Sequence, residues 1–252
     1  MPTLTSCLLN YTKDRMADIF RFKCFDVDQA GCAMKVNTDA ALLGALTEGR
    51  HASKILDIGT GTGVVALMLA QRFPDTHVDG VEIDPLAAAT AELNFRNSPF
   101  DKRLSLTCGS FQDYLRQSAG KTYDLIVSNP PFFLDSLKNA DSKKQTARHA
   151  DLTFFSELLE LSFLHLSPKG QICLILPLST SALVEAEAKR IGLFLQSEIA
   201  ILSFPSSTPH RKIITLGTPE TAVRSEELAI YKAEKQYSDQ YRELLKNFLT
   251  IF

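Results

Sequence analysis

The chain of 252 residues is long enough for one large domain with an annex, and its 45% hydrophobic and 22% charged residues are typical of a globular protein with a substantial core. A formal net charge of -2 excludes the globally basic surface of many nucleic-acid-binding proteins, so any such surface must be a local patch. The five cysteines show no CxxC spacing and form an odd number, which argues against a zinc site and a disulfide framework.

The first residues carry no targeting signal. No segment reaches the ~18 apolar residues of a membrane-spanning helix, and MPTLTSCLLNYTKDRM lacks the basic start and apolar stretch of a signal peptide. We therefore expect a cytoplasmic protein. Residues 1–15 have no clear periodicity, which predicts a disordered extension and makes Met16 a candidate for the natural start.

Upstream of residue 50, two elements are predicted. FRFKCFDV (20–27) alternates apolar and polar residues like a strand, and TDAALLGALTEG (38–49) is a helix that Thr38 caps and Gly49 ends.

From Lys54 onward, short apolar runs alternate with longer amphipathic stretches. Strands are predicted at 54–58, 77–83, 103–108, 123–128, 170–177, 194–203, 211–217 and 227–232. Helices are predicted at 64–73, 85–98, 111–117, 153–166, 179–191 and 238–249. This alternation predicts an α/β fold with a doubly wound, mostly parallel sheet and right-handed crossovers.

A glycine-rich loop, DIGTGTG (57–63), follows the first strand of this series. Gly59, Gly61 and Gly63 would let backbone amides approach a ligand closely at the start of a helix; the alternative is a tight turn chosen for packing. The spacing is GxGxG and not the GxGxxG of dinucleotide-binding proteins, which favours another ligand. Glu82 ends the next strand, where a carboxylate either accepts hydrogen bonds from two ribose hydroxyls or is a solvated acid.

This combination resembles the S-adenosylmethionine-dependent methyltransferases with a Rossmann-like sheet of seven strands, whose first motif reads D/E-x-G-x-G-x-G. The resemblance implies that Asp57, Thr60 and the glycines surround the methionine part of S-adenosyl-L-methionine and that Glu82 binds its ribose. The adenine would contact the loop after the third strand. Many relatives carry an aspartate there, but this chain has Ser110, with Asp113 three residues further on.

The sequence leaves two alternative roles for each of two further residues. Phe111 is either an adenine contact or a core residue. Lys35 is either a partner of the methionine carboxylate or a surface lysine. By the same resemblance, residues 16–50 form an annex over the cofactor site and residues 51–252 form the methyltransferase domain.

The segment SNPPFF (128–133) follows an apolar run and cannot continue a strand, because proline lacks an amide donor. An exocyclic amino nitrogen is a poor nucleophile since its lone pair is delocalised. If the Asn129 side-chain oxygen and the Pro130 carbonyl each accept one N–H, they orient that lone pair and stabilise the developing charge without a general base. Pro131 stiffens the turn, and Phe132 offers a stacking face for a base. The alternative is a plain turn with buried phenylalanines; Phe133 stays open.

Residues 129–132, NPPF, match the N/D-P-P-Y/F motif of amino-methyltransferases that act on adenine N6, guanine N2 or a protein glutamine N5. Together with MKVNTDAALLGA, ARH (147–149) and PHR (209–211), it resembles the bacterial tRNA(valine) adenine-N6-methyltransferase family. The resemblance implies methylation of the adenosine 3′ of the anticodon, with no metal, and we favour a monomer. Asn37 stands where the family usually has glycine, and Phe132 where it often has tyrosine.

A basic segment follows the motif and is a candidate for contacts with the tRNA anticodon region. It carries a local charge of +3 from Lys138, Lys143, Lys144 and Arg148 against Asp141, and His149 ends it. The alternative is a solvated mobile loop. Glutamine N5 methylation of a protein, methylation of rRNA, and a non-catalytic cofactor- or RNA-binding module are the competing functions.

Overall fold

The computed structural model describes residues 18–49, 51–131 and 141–252, the last without the side chains of 141–151. The predicted extension 1–15 lies outside these residues, as do Phe132 and Phe133.

The N-terminal part contains a short hairpin and a helix. Strands β1 (Ile19–Arg21) and β2 (Asp26–Asp28) pair antiparallel, so the predicted single strand at 20–27 is instead two strands and a turn. Helix α1 (Thr38–Leu46) follows. The prediction that Thr38 caps it was wrong: Asn37 is the N-cap, and its side-chain oxygen accepts from the Ala40 amide at 2.9 Å. Asn37 therefore has a structural role in starting this helix.

Eight strands form the central sheet in the described part of the chain. They are β3 (Lys54–Ile58), β4 (His77–Glu82), β5 (Leu104–Cys108), β6 (Tyr123–Ser128), β7 (Leu166–Leu176), β8 (Phe194–Leu202), β9 (Arg211–Gly217) and β10 (Arg224–Ala229). Their order is β10-β8-β9-β7-β6-β3-β4-β5, and every neighbouring pair is parallel except those of β9 with β7 and β8. The α/β, mostly parallel architecture is confirmed; its eight strands match the number predicted from the apolar runs and exceed by one the seven that the family resemblance implies.

The helices follow the strands as predicted, with one large difference in length. They are α2 (Val64–Arg72), α3 (Pro85–Arg96), α4 (Phe111–Gln117), α5 (Asp141–Leu164), α6 (Leu178–Arg190) and α7 (Asp239–Leu245), and a small hairpin of β11 (Tyr231–Ala233) and β12 (Gln236–Tyr237) precedes α7. Helix α5 was expected only from residue 153. Most of the basic segment, which lies between the predicted elements, is thus helical.

Alternate strand residues enter two separate apolar cores. Ile55 and Leu125 pack into the core shared with α1, α2 and α7. Their neighbours Leu56 and Ile126 pack into the core shared with α4, α5 and α6. A strand with both faces buried has side chains pointing alternately into two helix layers, which explains why these strands read as continuous apolar runs. No helix in the described ranges is both long and apolar enough to cross a membrane.

Candidate active site

A cavity of about 360 Å³ lies at the carboxyl ends of β3, β4, β5 and β6. Ligands of doubly wound sheets bind at this edge. The predicted site residues that line it are Gly59, Gly61, Glu82, Ser110, Phe111, Asn129, Pro130 and Pro131. Lining residues that sequence reasoning missed include Cys32, Ala33, Met34, Ile83, Asp84, Gln112 and Phe154. Larger cavities of about 850 and 790 Å³ lie around Arg72 and share none of these residues.

The three glycines of the loop have different roles, because two of them face the cavity and the third allows close helix packing. Gly59, Gly61 and Gly63 have φ of 70°, 57° and 82°, the left-handed region that favours glycine. A Cβ at Gly59 or Gly61 would meet no atom within 4 Å, so this side of the loop is open to a ligand. A Cβ at Gly63 would lie 2.5 Å from the Phe95 ring. Gly63 therefore serves helix packing, while the other two glycines face the cavity.

Asp57 and Thr60 stabilise the loop through a buried contact and do not line the cavity. The Thr60 hydroxyl donates to the Asp57 carboxylate at 2.6 Å, and both side chains are buried. Burial raises the pKa of Asp57 to about 7, against the opposing hydrogen bonds from Thr60 and from the Ala66 amide. Lys35 does not line the cavity either, and its ammonium group pairs with Asp18.

Glu82 is placed at the cavity by two backbone amides. One carboxylate oxygen accepts from Gly61 N at 2.8 Å and the other from Asp84 N at 2.9 Å, and the residue is only 8% exposed. These bonds fix the carboxylate against the loop. Each oxygen keeps a second lone pair, so the side chain can still accept from a ligand.

The wall after β5 is built around the first turn of α4. Ser110 caps this helix: its hydroxyl accepts from Asp113 N at 3.0 Å and donates to the Asp113 carboxylate at 2.7 Å. Asp113 does not line the cavity. Phe111 does, and it also packs edge-on against Phe154 with ring centroids 5.6 Å apart, so it is both a cavity wall and a core residue. Gln112 is oriented by a 2.9 Å hydrogen bond from its amide nitrogen to Glu157.

Asn129 is the residue of this site with an unsatisfied group. Its side-chain oxygen is buried and has no hydrogen-bond partner among the described residues, and its amide nitrogen lies 4.0 Å from the Met34 sulfur. Ser128, just before it, donates to Ile58 O at 2.7 Å and ties the start of the motif to β3. Buried polar atoms are nearly always hydrogen-bonded, so an orphaned acceptor at a cavity indicates a ligand donor.

The remaining predicted site residues fall at the start of α5. The backbone of Lys143, Lys144, Arg148 and His149 is helical, and their side chains lie outside the described residues. Within the described ranges, no group of three or more His, Cys, Asp or Glu residues could hold a metal ion.

Residues 32–177 match the methyltransferase small domain family. The chain is 46% identical over 237 residues to the tRNA1(Val) (adenine(37)-N6)-methyltransferase of Pedobacter heparinus, covering 94% of this chain and 100% of the relative. It is 36% identical to the protein of the same name from Haemophilus influenzae, covering 92% of this chain and 99% of that one.

Two solved structures are similar to the fold. A predicted O-methyltransferase, Atu636 from Agrobacterium tumefaciens, has a TM-score of 0.65 at 18% identity, covering 83% of this chain and 96% of that chain. A methyltransferase from Pyrococcus furiosus has a TM-score of 0.56 at 22% identity, covering 84% of this chain and 97% of that chain.

Proposed function

Because the chain belongs to the family of the tRNA1(Val) (adenine(37)-N6)-methyltransferases, we propose that it transfers a methyl group from S-adenosyl-L-methionine to N6 of adenosine 37 in a valine tRNA. The orphaned side-chain oxygen of Asn129 at the cavity is the observation that carries the chemistry. The proposed tRNA substrate implies that the reaction takes place in the cytoplasm.

The cavity fits the cofactor. Gly59 and Gly61 leave open space beside their backbones, and Glu82 supplies a fixed carboxylate for the ribose hydroxyls. Its volume of about 360 Å³ is within the range of small-molecule sites. Phe111 and Ser110 form the wall assigned to the adenine, and Cys32 on the opposite segment supports the proposal that the N-terminal annex covers the cofactor. When bound, S-adenosyl-L-methionine supplies an electrophilic methyl group on its sulfonium sulfur.

Asn129 and Pro130 orient the nucleophile. The Asn129 side-chain oxygen accepts one N6–H and the Pro130 carbonyl accepts the other, which turns the nitrogen lone pair toward the methyl donor. The same acceptors stabilise the positive charge that develops on nitrogen. Burial makes the Asn129 acceptor effective, because the oxygen has no competing partner among the described groups.

The aromatic part of the motif and the basic segment complete the substrate site in this proposal. Phe132 stacks on the adenine, a contact of ~1–3 kcal/mol per base, and Pro131 and Phe133 border it. A nucleotide in an anticodon loop is already poorly stacked, so its extrusion costs less than from a helix.

The phosphates of the same anticodon region are assigned to the start of α5. Lys143, Lys144, Arg148 and His149 lie in the segment after the motif and contribute most of its local positive charge. The protein acts as a monomer in this scheme.

Two experiments test this proposal: one identifies the methylated substrate, and the other tests the role of Asn129. The protein is incubated with tritiated cofactor and, separately, total tRNA, rRNA or a translation release factor, and the labelled nucleoside is identified by mass spectrometry. We expect N6-methyladenosine in tRNA. Label in the release factor alone would instead support glutamine N5 methylation, which uses the same acceptor geometry, and label in rRNA alone would support a ribosomal substrate.

Asn129→Ala is expected to lower turnover roughly 100-fold or more while the dissociation constant of the cofactor, measured by calorimetry, stays within about threefold. Asn247→Ala, an exposed asparagine that does not line this cavity, is the matched control and should retain full turnover. Full activity of Asn129→Ala would reject the proposed role and favour a non-catalytic module.

A further inference from the structure

Met34 lies next to the side chain of Asn129, whose oxygen is proposed to accept a hydrogen bond from the target amino group. It lines the cavity, it is 47% exposed, and its sulfur lies 4.0 Å from the Asn129 amide nitrogen. An isolated exposed methionine needs no explanation on a protein surface. One that contacts the acceptor residue at the mouth of a ligand cavity occupies the space that a substrate must enter.

The position of Met34 is set by the fold. It lies on residues 29–37, here called the strap, which connect β2 to α1. Helix α3 holds the first half of the strap: Thr90 donates to Ala30 O at 2.7 Å, and Asn94 donates to Asp28 O at 2.9 Å just before it.

The second half of the strap is held in a similar way. The Val36 amide donates to the Gln29 side chain at 2.7 Å, and Asn37 caps α1. In the next residues of α1, Asp39 pairs with Arg211 at 3.0 Å. The strap backbone is thus fixed at both ends, while the unbranched Met34 side chain can adjust.

The chemistry of a thioether suits a flat heteroaromatic ligand. Sulfur makes favourable contacts with aromatic rings, and methionine adapts its shape because it has three rotatable side-chain bonds. An adenine whose N6 is hydrogen-bonded to Asn129 must lie within reach of the groups around that amide, and the Met34 sulfur is 4.0 Å from the amide nitrogen. We propose that Met34 packs against the target adenine and is a substrate-contacting residue of the enzyme. This inference rests on the proposed function.

The role of Met34 can be tested by comparing the affinities of two proteins for two RNAs. The dissociation constants of the wild type and Met34→Ala are measured by fluorescence anisotropy, in the presence of S-adenosylhomocysteine, for an anticodon stem-loop RNA with adenosine at position 37 and for the same RNA with an abasic site there. We expect Met34→Ala to weaken binding of the adenosine RNA by about 2- to 12-fold and to leave the abasic RNA unchanged.

Three controls separate a base contact from other effects. Leu93→Ala removes a similarly exposed side chain, 40% exposed, that does not line the cavity, and should change neither affinity. Met34→Leu keeps an apolar contact and should lose less affinity than Met34→Ala. The affinity of Met34→Ala for S-adenosylhomocysteine, measured by calorimetry, should stay within about twofold of the wild type.

Two outcomes overturn the inference: an equal loss for both RNAs, or a loss of S-adenosylhomocysteine affinity as large as the loss of RNA affinity. Failure of the proposed function looks different. In that case the wild type itself fails to distinguish adenosine from the abasic site and transfers no methyl group to tRNA. A wild type that discriminates, beside a Met34→Ala variant that behaves identically, rejects the role of Met34 alone.

Discussion

Replacing Asp57 with asparagine should remove a pH dependence from the free energy of unfolding. Asp57 is 1% exposed behind the glycine loop, and burial raises its pKa from 3.8 to about 7. The negative charge of Glu82 contributes to the same direction, and the hydrogen bond from Thr60 opposes it. Asparagine has nearly the same shape and does not titrate.

The sign and size of the effect follow from linkage. Between about pH 4 and pH 7 the folded protein holds a proton that the unfolded chain has released, so stability falls as the pH rises. The contribution of Asp57 is fully present below about pH 4 and is lost as the pH passes about 7. At 1.36 kcal/mol per pKa unit, the interval from 3.8 to about 7 corresponds to a loss of roughly 4 kcal/mol.

Urea denaturation of the wild type and Asp57→Asn between about pH 5 and pH 8 measures this loss. The difference between their free energies of unfolding cancels the titrating groups that do not interact with Asp57 and any constant cost of the substitution. It should shift in favour of the asparagine variant by roughly 1.4 kcal/mol per pH unit and level off near pH 8. A difference that stays constant over this range would refute the raised pKa.

Two further predictions concern the loop and its carboxylate. Gly63→Ala should destabilise the protein by roughly 1–3 kcal/mol more than Gly192→Ala, because both glycines have φ above 80° but only the Cβ at Gly63 meets a neighbour, Phe95; equal losses in urea denaturation would contradict the packing role. Glu82→Gln should weaken S-adenosyl-L-methionine binding by roughly 5- to 10-fold in calorimetry, since glutamine replaces one charged acceptor with an amide donor and leaves the other oxygen neutral; an unchanged dissociation constant would argue against the ribose contact.

The buried strands could be predicted from the sequence, whereas elements without an apolar pattern could not. The strands at 54–58 and 123–128 have the predicted bounds because their residues fill cores on both faces of the sheet. The first turns of α5 carry polar residues, whose helix propensity alone gives no periodic signal. The cap of α1 was misplaced by one residue. Asn37 and Thr38 are both good capping residues, and only the extended backbone of Asn37 distinguishes them.

The residues of the candidate site also differ in whether the sequence could identify them. Gly59, Glu82 and Asn129 were identifiable because each occupies a fixed place relative to the end of a strand, where local spacing carries the information. Met34 and Phe154 reach the cavity from segments distant in sequence, and no spacing rule connects them to the motif. The sequence signal for Met34 is its position in the segment MKVNTDAALLGA, which carries part of the family resemblance.

The eighth strand, β10, has a consequence for how the molecule behaves at high concentration. Among the described strands it pairs only with β8, so it lies at an edge of the sheet, where a strand from another molecule could pair. Arg224, Glu226 and Glu227 are exposed along it. A strand added there would have to bring its own side chains against these charges. The charged side chains of β10 thereby disfavour edge-to-edge pairing at this end of the sheet.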